Sequence, residues 1–210
     1  MDLQRRALVF GGGALVASAA AAGAAAKLAP WKAAEAVAPP PVTPAPVAMP
    51  APAVVTRPAA DARRLFLHNL HTGDTVKTVY WANGQYIDGG LDEARHVLRD
   101  WRNGQQHDMD PSLFDIFHEL STRLETDRPF QIISGYRSPA TNAALHAKSS
   151  GVAKNSLHTR GMATDIRVEG VQLRHLQRAA LDVGRGGVGF YPVSNFVHVD
   201  TGRVRKWSGA

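Results

Sequence analysis

The segment Asn155-Ser156-Leu157-His158-Thr159-Arg160-Gly161-Met162-Ala163-Thr164-Asp165 sets an imidazole and a carboxylate on either side of a glycine. Further along, Phe196-Val197-His198-Val199-Asp200 alternates apolar and polar residues, so His198 and Asp200 share one face of a strand. Two imidazoles and one carboxylate, with a coordination position left for water, are the donor set of a hydrolytic zinc site. The chain has no cysteine, so a metal must be held by His, Asp, Glu or water. Each residue taken singly also has a plainer reading. His158 suits a surface loop, Asp165 a pairing with Arg167, and Asp200 a pairing with Arg203 or Arg205.

The elements that must position these residues are legible around them. Ala163–Val168 reads as a strand with Ala163, Asp165 and Arg167 on one face, and Gly161 permits a turn that folds His158 back beside it. Upstream, short alternating runs broken at Thr72-Gly73-Asp74 and Asn83-Gly84 predict hairpins. Leu91, Ala94, Leu98 and Trp101 recur at helical spacing. A second helix follows, with Asp110 as cap, Pro111 in the first position, and Leu113, Ile116, Phe117, Leu120 and Leu124 on one face. Phe130–Tyr136 reads as a buried strand, Ser138–Lys148 as a capped helix, and Val171–Val183 as a helix with Leu173, Leu176, Ala180 and Val183 aligned. Two strands around Pro192 close the pattern. Hairpins and helices without regular βαβ alternation predict an α+β single domain, with a small, mainly antiparallel sheet flanked by helices.

One motif misleads. Gly184–Gly189 (GRGGVG) satisfies the dinucleotide-binding spacing, but that chemistry needs a strand before the glycines and a helix after them. Here a helix precedes and a strand follows, so the glycines are read as a helix stop and a tight turn.

The N-terminal 26 residues place Arg5-Arg6 before a long uncharged run rich in alanine and ending in Ala24-Ala25-Ala26. This is the layout of an export signal of twin-arginine type, or of a membrane anchor if it is not cleaved. Residues 27–60 are dominated by Ala, Pro and Val; prolines at that density forbid helix and central strand and make an extended spacer. Residues 61–210 carry the folded domain. The net charge of +6 suits an anionic partner such as an acidic wall polymer. The basic residues are scattered and not interleaved with aromatics, which argues against nucleic acid, and membrane contact is expected only through the N-terminal segment.

Ser156-x-His158-x-x-Gly161-x-Ala163-x-Asp165, together with Ser134-Gly135-Tyr136-Arg137-Ser138-Pro139-Ala140-Thr141-Asn142 and the stretch from Gly186 to Trp207, resembles the zinc peptidase superfamily of D-alanyl-D-alanine carboxypeptidases, vancomycin-resistance dipeptidases and hedgehog-type domains. The likeness is closest to the murein endopeptidase K-like subfamily and covers roughly residues 65–207. It implies a hedgehog/D-Ala-D-Ala peptidase-like fold, a Zn2+ held by His158, Asp165 and His198, and Arg137 facing substrate. Ser156 would align substrate or the His158 loop, or serve simply to form the turn. It further implies a periplasmic or cell-envelope enzyme acting on peptidoglycan stem peptides. The dipeptidase branch carries a glutamate as general base three residues before the last histidine; here that position is Asn195, which cannot take a proton. Asp200, ~6–7 Å along the strand from His198 and on its face, is the expected substitute, one water beyond the metal. The resulting expectation is a zinc-dependent endopeptidase cutting peptidoglycan cross-links. A D,D-carboxypeptidase or dipeptidase on the same fold, and a zinc-containing wall-binding domain without turnover, stand as alternatives.

Overall fold

Thr72-Gly73-Asp74 and Asn83-Gly84 both make the turns that their composition predicts. The computed structural model describes residues 59–149 and 151–209; the expected export signal and all but the last two residues of the spacer lie outside them. Strands β1 (Arg63–Asn69) and β2 (Thr75–Ala82) pair antiparallel about Gly73, whose φ is +77°. Asn83 and Gly84 both take positive φ, as a two-residue hairpin requires, and lead into β3 (Gln85–Tyr86).

Helix α1 (Asp88–Val97) begins earlier and stops sooner than the spacing of Leu91 to Trp101 predicts. Past Val97 the chain turns tightly, with Gly104 N–H donating to the Asp100 carbonyl. Trp101 extends the apolar period for a separate reason: its ring stacks on His71 with centroids 4.0 Å apart. Helix α2 (Pro111–Arg123) starts at Asp110, whose carboxylate accepts from Ser112 N–H, and β4 (Phe130–Ser134) follows. Then come α3 (Pro139–Lys148), a 3-10 turn (Leu157–Arg160), β5 (Ala163–Val168) and α4 (Leu173–Val183). Gly184 ends α4 in the left-handed conformation, and β6 (Gly187–Tyr191) follows, the reverse of a dinucleotide-binding unit. Strands β7 (Phe196–Asp200) and β8 (Arg205–Ser208) complete the fold.

The strands form one eight-stranded sheet in the order β3-β2-β1-β4-β5-β7-β6-β8. It is mixed: β1–β4 and β6–β8 run parallel, and the other neighbours antiparallel. The fold is α+β, with a larger sheet than the small one expected and with an edge strand, β8, that the sequence did not announce.

The core lies on one face of this sheet. Leu113, Phe117 and Leu120 of α2 and Leu176 of α4 are fully buried with Leu65, Leu67, Ile132, Ile166, Val197 and Val199. Each such side chain contributes ~1.5–3 kcal/mol on burial. Period-two alternation then fixes what the other face carries. If Ile166, Val197 and Val199 point into the core, Asp165, His198 and Asp200 must point away from it. Among the described residues no helix is long and apolar enough to cross a membrane.

Candidate metal centre

Adjacent strands deliver two of the expected ligands. In the β5–β7 ladder Asp165 pairs directly with His198, and at the end of β4 Ser134 pairs with Asp165. The third, His158, comes from the 3-10 turn. Ser156 starts this turn, its Oγ accepting from His158 N–H at 3.4 Å, and Gly161 ends it at φ +67°. Any side chain at Gly161 would also strike the Asp108 carbonyl, so the position is closed to other residues on two counts. The turn docks onto the end of β4, where Arg137 N–H donates to the His158 carbonyl.

The donor atoms of His158, Asp165 and His198 all lie within 4.8 Å of one another, and all three residues are buried. His198 Nδ1 is 2.9 Å from Asp165 Oδ1, His158 Nε2 is 3.3 Å from the same oxygen, and the two ring nitrogens are 3.2 Å apart. Donors bonded to a tetrahedral zinc at ~2.0–2.1 Å stand about 3.3 Å apart, so the triangle is close to the size a zinc shell demands. The far side of each ring is also committed. His158 Nδ1 faces the Gly135 carbonyl at 2.8 Å, so it carries the hydrogen and leaves the Nε2 lone pair on the centre. His198 Nε2 faces Asp200 Oδ2 at 3.0 Å, which leaves Nδ1 on the centre. The residues fit a zinc ion.

Burial alone would raise the Asp165 carboxyl, but the His158 and His198 rings outweigh it and hold the group well below the usual carboxylate range. Burial lowers the pKa of His158. It would lower that of His198 too, but hydrogen bonds to Asp165 and Asp200 reverse the sign and raise it to about 9.

The centre forms the floor of a cavity of about 780 Å3, lined also by Arg137, Ser156, Tyr191 and Trp207. Arg137 is buried in its lining. Its guanidinium donates to Ser134 Oγ and Asn142 Oδ1 and lies 3.8 Å from Asp165 Oδ2. Asn142 in turn donates to the carbonyls of Ala153 and Lys154, tying Arg137 to the loop that leads into the His158 turn.

Asp200 shares the face of His198 on β7, as the strand spacing implies, but its carboxylate is turned onto the ring itself. It contacts His198 directly instead of sitting one water beyond the centre, and it is fully buried. Oδ1 accepts from Gly187 N–H, Gly202 N–H and Arg205 Nη1, while Oδ2 takes Arg205 Nη2 at 2.7 Å as well as the His198 ring. Asn195 is exposed in the β6–β7 turn at φ +55°, a conformation asparagine tolerates better than most residues. His146 and His175 are exposed on α3 and α4, away from the cluster. Arg205 pairs with Asp200, as one of the plainer readings of the sequence had it, whereas the sequence pattern gave no role to Gly135 or Asn142. Their contributions are a carbonyl and an amide, neither of which leaves a periodic signal.

Comparison with known proteins places the chain in a family. The family model described as peptidoglycan L,D-endopeptidase MepK matches residues 57–207. Peptidoglycan L,D-endopeptidase MepK of Escherichia coli (strain K12) is 46% identical over 159 residues, covering 76% of this chain and 87% of the relative. A probable peptidoglycan L,D-endopeptidase MepK of Haemophilus influenzae is 41% identical over 148 residues, covering 70% and 80% respectively. The chain therefore belongs to the peptidoglycan L,D-endopeptidase MepK family, a family of metallopeptidases, and is a peptidoglycan peptide hydrolase.

Proposed function

We propose that the protein is a zinc-dependent murein endopeptidase that hydrolyses an L,D bond in the peptide cross-links of peptidoglycan. The observation that carries this reading is the buried His158–Asp165–His198 triangle on the floor of a cavity lined by Arg137. Its volume, about 780 Å3, lies toward the upper end of the ~300–1,000 Å3 usual for ligand sites. That space suits a branched peptide with chain on both sides of the scissile amide better than a free dipeptide. The relatives' names supply the L,D preference.

Zinc, when bound, supplies Lewis acidity to the scissile carbonyl and lowers the pKa of water toward ~7. The chain's own residues hold and orient. Gly135 and Asp200 fix the tautomers of His158 and His198, so that both rings turn a lone pair to the centre. Arg137, kept in place by Ser134 and Asn142, offers positive charge to a substrate carboxylate or to the oxygen that becomes negative in the transition state. Ser156 sets the start of the His158 turn and lines the cavity. Asp200 is an orienting group in this reading. Five donors already occupy its oxygens, and none of its surface is open to a water in the cavity. Residues 1–26 serve export to the compartment of the wall and residues 27–60 act as a spacer.

The test is to incubate the zinc-loaded full chain with defined cross-linked muropeptide dimers and with monomeric pentapeptides. Conversion of dimers to monomers, abolished by a chelator and restored by zinc, is the expected result. Release of D-alanine from pentapeptides with the dimers left intact would replace the endopeptidase reading with a carboxypeptidase one. Tight binding of either substrate without cleavage would make the domain a wall-binding module.

A further inference from the structure

One wall of the cavity is aromatic and is built with some care. Tyr191 of β6 pairs with Phe196 of β7, and their rings stack with centroids 4.5 Å apart. Trp207 of β8 pairs with Gly189 of β6 and lies over it; a Cβ on Gly189 would run into the indole. The absence of a side chain there lets the indole lean to within 5.2 Å of the His198 ring. Gly209 is bare in the same way beneath the Tyr191 ring, where any Cβ would collide with it. Two glycines thus make room for two aromatic rings.

The rings are joined by a hydrogen bond whose direction matters. Trp207 Nε1–H donates to the Tyr191 hydroxyl at 2.9 Å. An indole nitrogen can only donate, so the phenol oxygen is the acceptor and its own hydrogen must go elsewhere. Among the described residues no acceptor takes it. Tyr191 and Trp207 both line the cavity, as does Arg137. Tyr191 is two residues along β6 from Gly189, the residue paired with His198, hence about 6–7 Å along the strand from the metal centre. An extended peptide advances ~3.3 Å per residue, so this offset along the strand corresponds to about two residues of a peptide whose scissile amide is held at the centre.

We infer that Tyr191 is a further substrate-binding residue of this cavity, its hydroxyl donating to a carbonyl or carboxylate oxygen of the stem peptide beside the scissile amide. Trp207 is its positioning residue, holding the phenol so that its hydrogen faces the cavity. The inference rests on the peptidoglycan reading of the same site. Because the contact lies off the reacting carbonyl, it acts on ground state and transition state alike and is read in KM, with little change in kcat.

The experiment compares the full chain with its Tyr191→Phe, Trp207→Phe and double variants, using a cross-linked muropeptide dimer. Two quantities are read: KM and kcat of the zinc-loaded proteins, and Kd for the intact dimer with the zinc-free proteins by calorimetry. Tyr191→Phe should raise both KM and Kd roughly three- to tenfold, the scale of one hydrogen bond, with kcat and zinc content unchanged. Trp207→Phe should raise them less, and the double variant should be no worse than Tyr191→Phe, since the indole acts through the hydroxyl. Unchanged KM and Kd in Tyr191→Phe, or fully additive effects in the double variant, would overturn the inference. The calorimetric arm separates this failure from that of the endopeptidase reading, because a wild-type chain that binds dimer without cutting it still tests Tyr191.

Discussion

Asp200 Oδ2 lies 3.0 Å from His198 Nε2 while Asp165 Oδ1 lies 2.9 Å from His198 Nδ1, so the ring is gripped at both nitrogens by carboxylates from two strands. If Asp200 orients the ring, Asp200→Ala should weaken zinc binding ~10–100-fold, and excess zinc should restore most of the turnover. A mutant with normal zinc affinity but collapsed turnover at saturating metal would instead make Asp200 the proton acceptor. Zinc titration alongside initial rates decides between them.

The ligand triangle makes a sharper expectation. The full chain should bind about one zinc, and His158→Ala, Asp165→Ala and His198→Ala should each abolish that binding, measured by elemental analysis after dialysis. His146→Ala and His175→Ala, on exposed helix faces, should keep it. Undiminished zinc in His198→Ala would place the metal elsewhere.

Arg137 makes two hydrogen bonds through different guanidinium nitrogens, to Asn142 and Ser134. Lysine keeps the charge but cannot reproduce that planar fork. Arg137→Lys should lower kcat/KM on cross-linked dimers by roughly tenfold or more with zinc content intact. Wild-type kcat/KM in this variant would reduce Arg137 to a structural ion pair.

Zinc uptake should also depend on pH in a definite direction. In the metal-free protein the His198 pKa is raised from 6.5 to about 9, so near neutrality a proton occupies the nitrogen that zinc needs. The apparent affinity should rise as pH increases toward 9, with about one proton released per zinc at neutral pH. Calorimetry in buffers of different ionisation enthalpy measures this release. The sign for stability is opposite. A raised folded-state pKa stabilises the metal-free fold fully below the ordinary histidine pKa, and that contribution is lost as pH rises through about 9.

At Gly161, φ is +67° and a Cβ would meet the Asp108 carbonyl. Gly161→Ala should therefore destabilise the domain by ~2 kcal/mol or more, seen as a lower Tm, and weaken zinc binding by shifting the His158 turn. An unchanged Tm would mean that the neighbouring loop yields easily.

What the sequence disclosed and what it withheld divide along physical lines. His158, Asp165 and His198 were legible because a motif and a two-residue alternation both act locally. Asp200 was legible as a neighbour of His198 and as a partner of Arg205, but its grip on the His198 ring and the amide it takes from Gly187 on another strand were not. Strand β8 left no pattern: Arg205-Lys206-Trp207-Ser208 has one apolar residue and joins β6 in parallel, with no hairpin turn to announce it. The boundary of α1 was misplaced because the burial of Trp101 against His71 mimics one more helical turn.

β8 follows every other strand described, yet it brings both Arg205, which clamps Asp200, and Trp207, which walls the cavity. A nascent chain still being translated before Arg205 has all three imidazole and carboxylate ligands but lacks the clamp behind His198. Until β8 is made and pairs with β6, Asp200 lacks its guanidinium partner and the cavity lacks its indole wall.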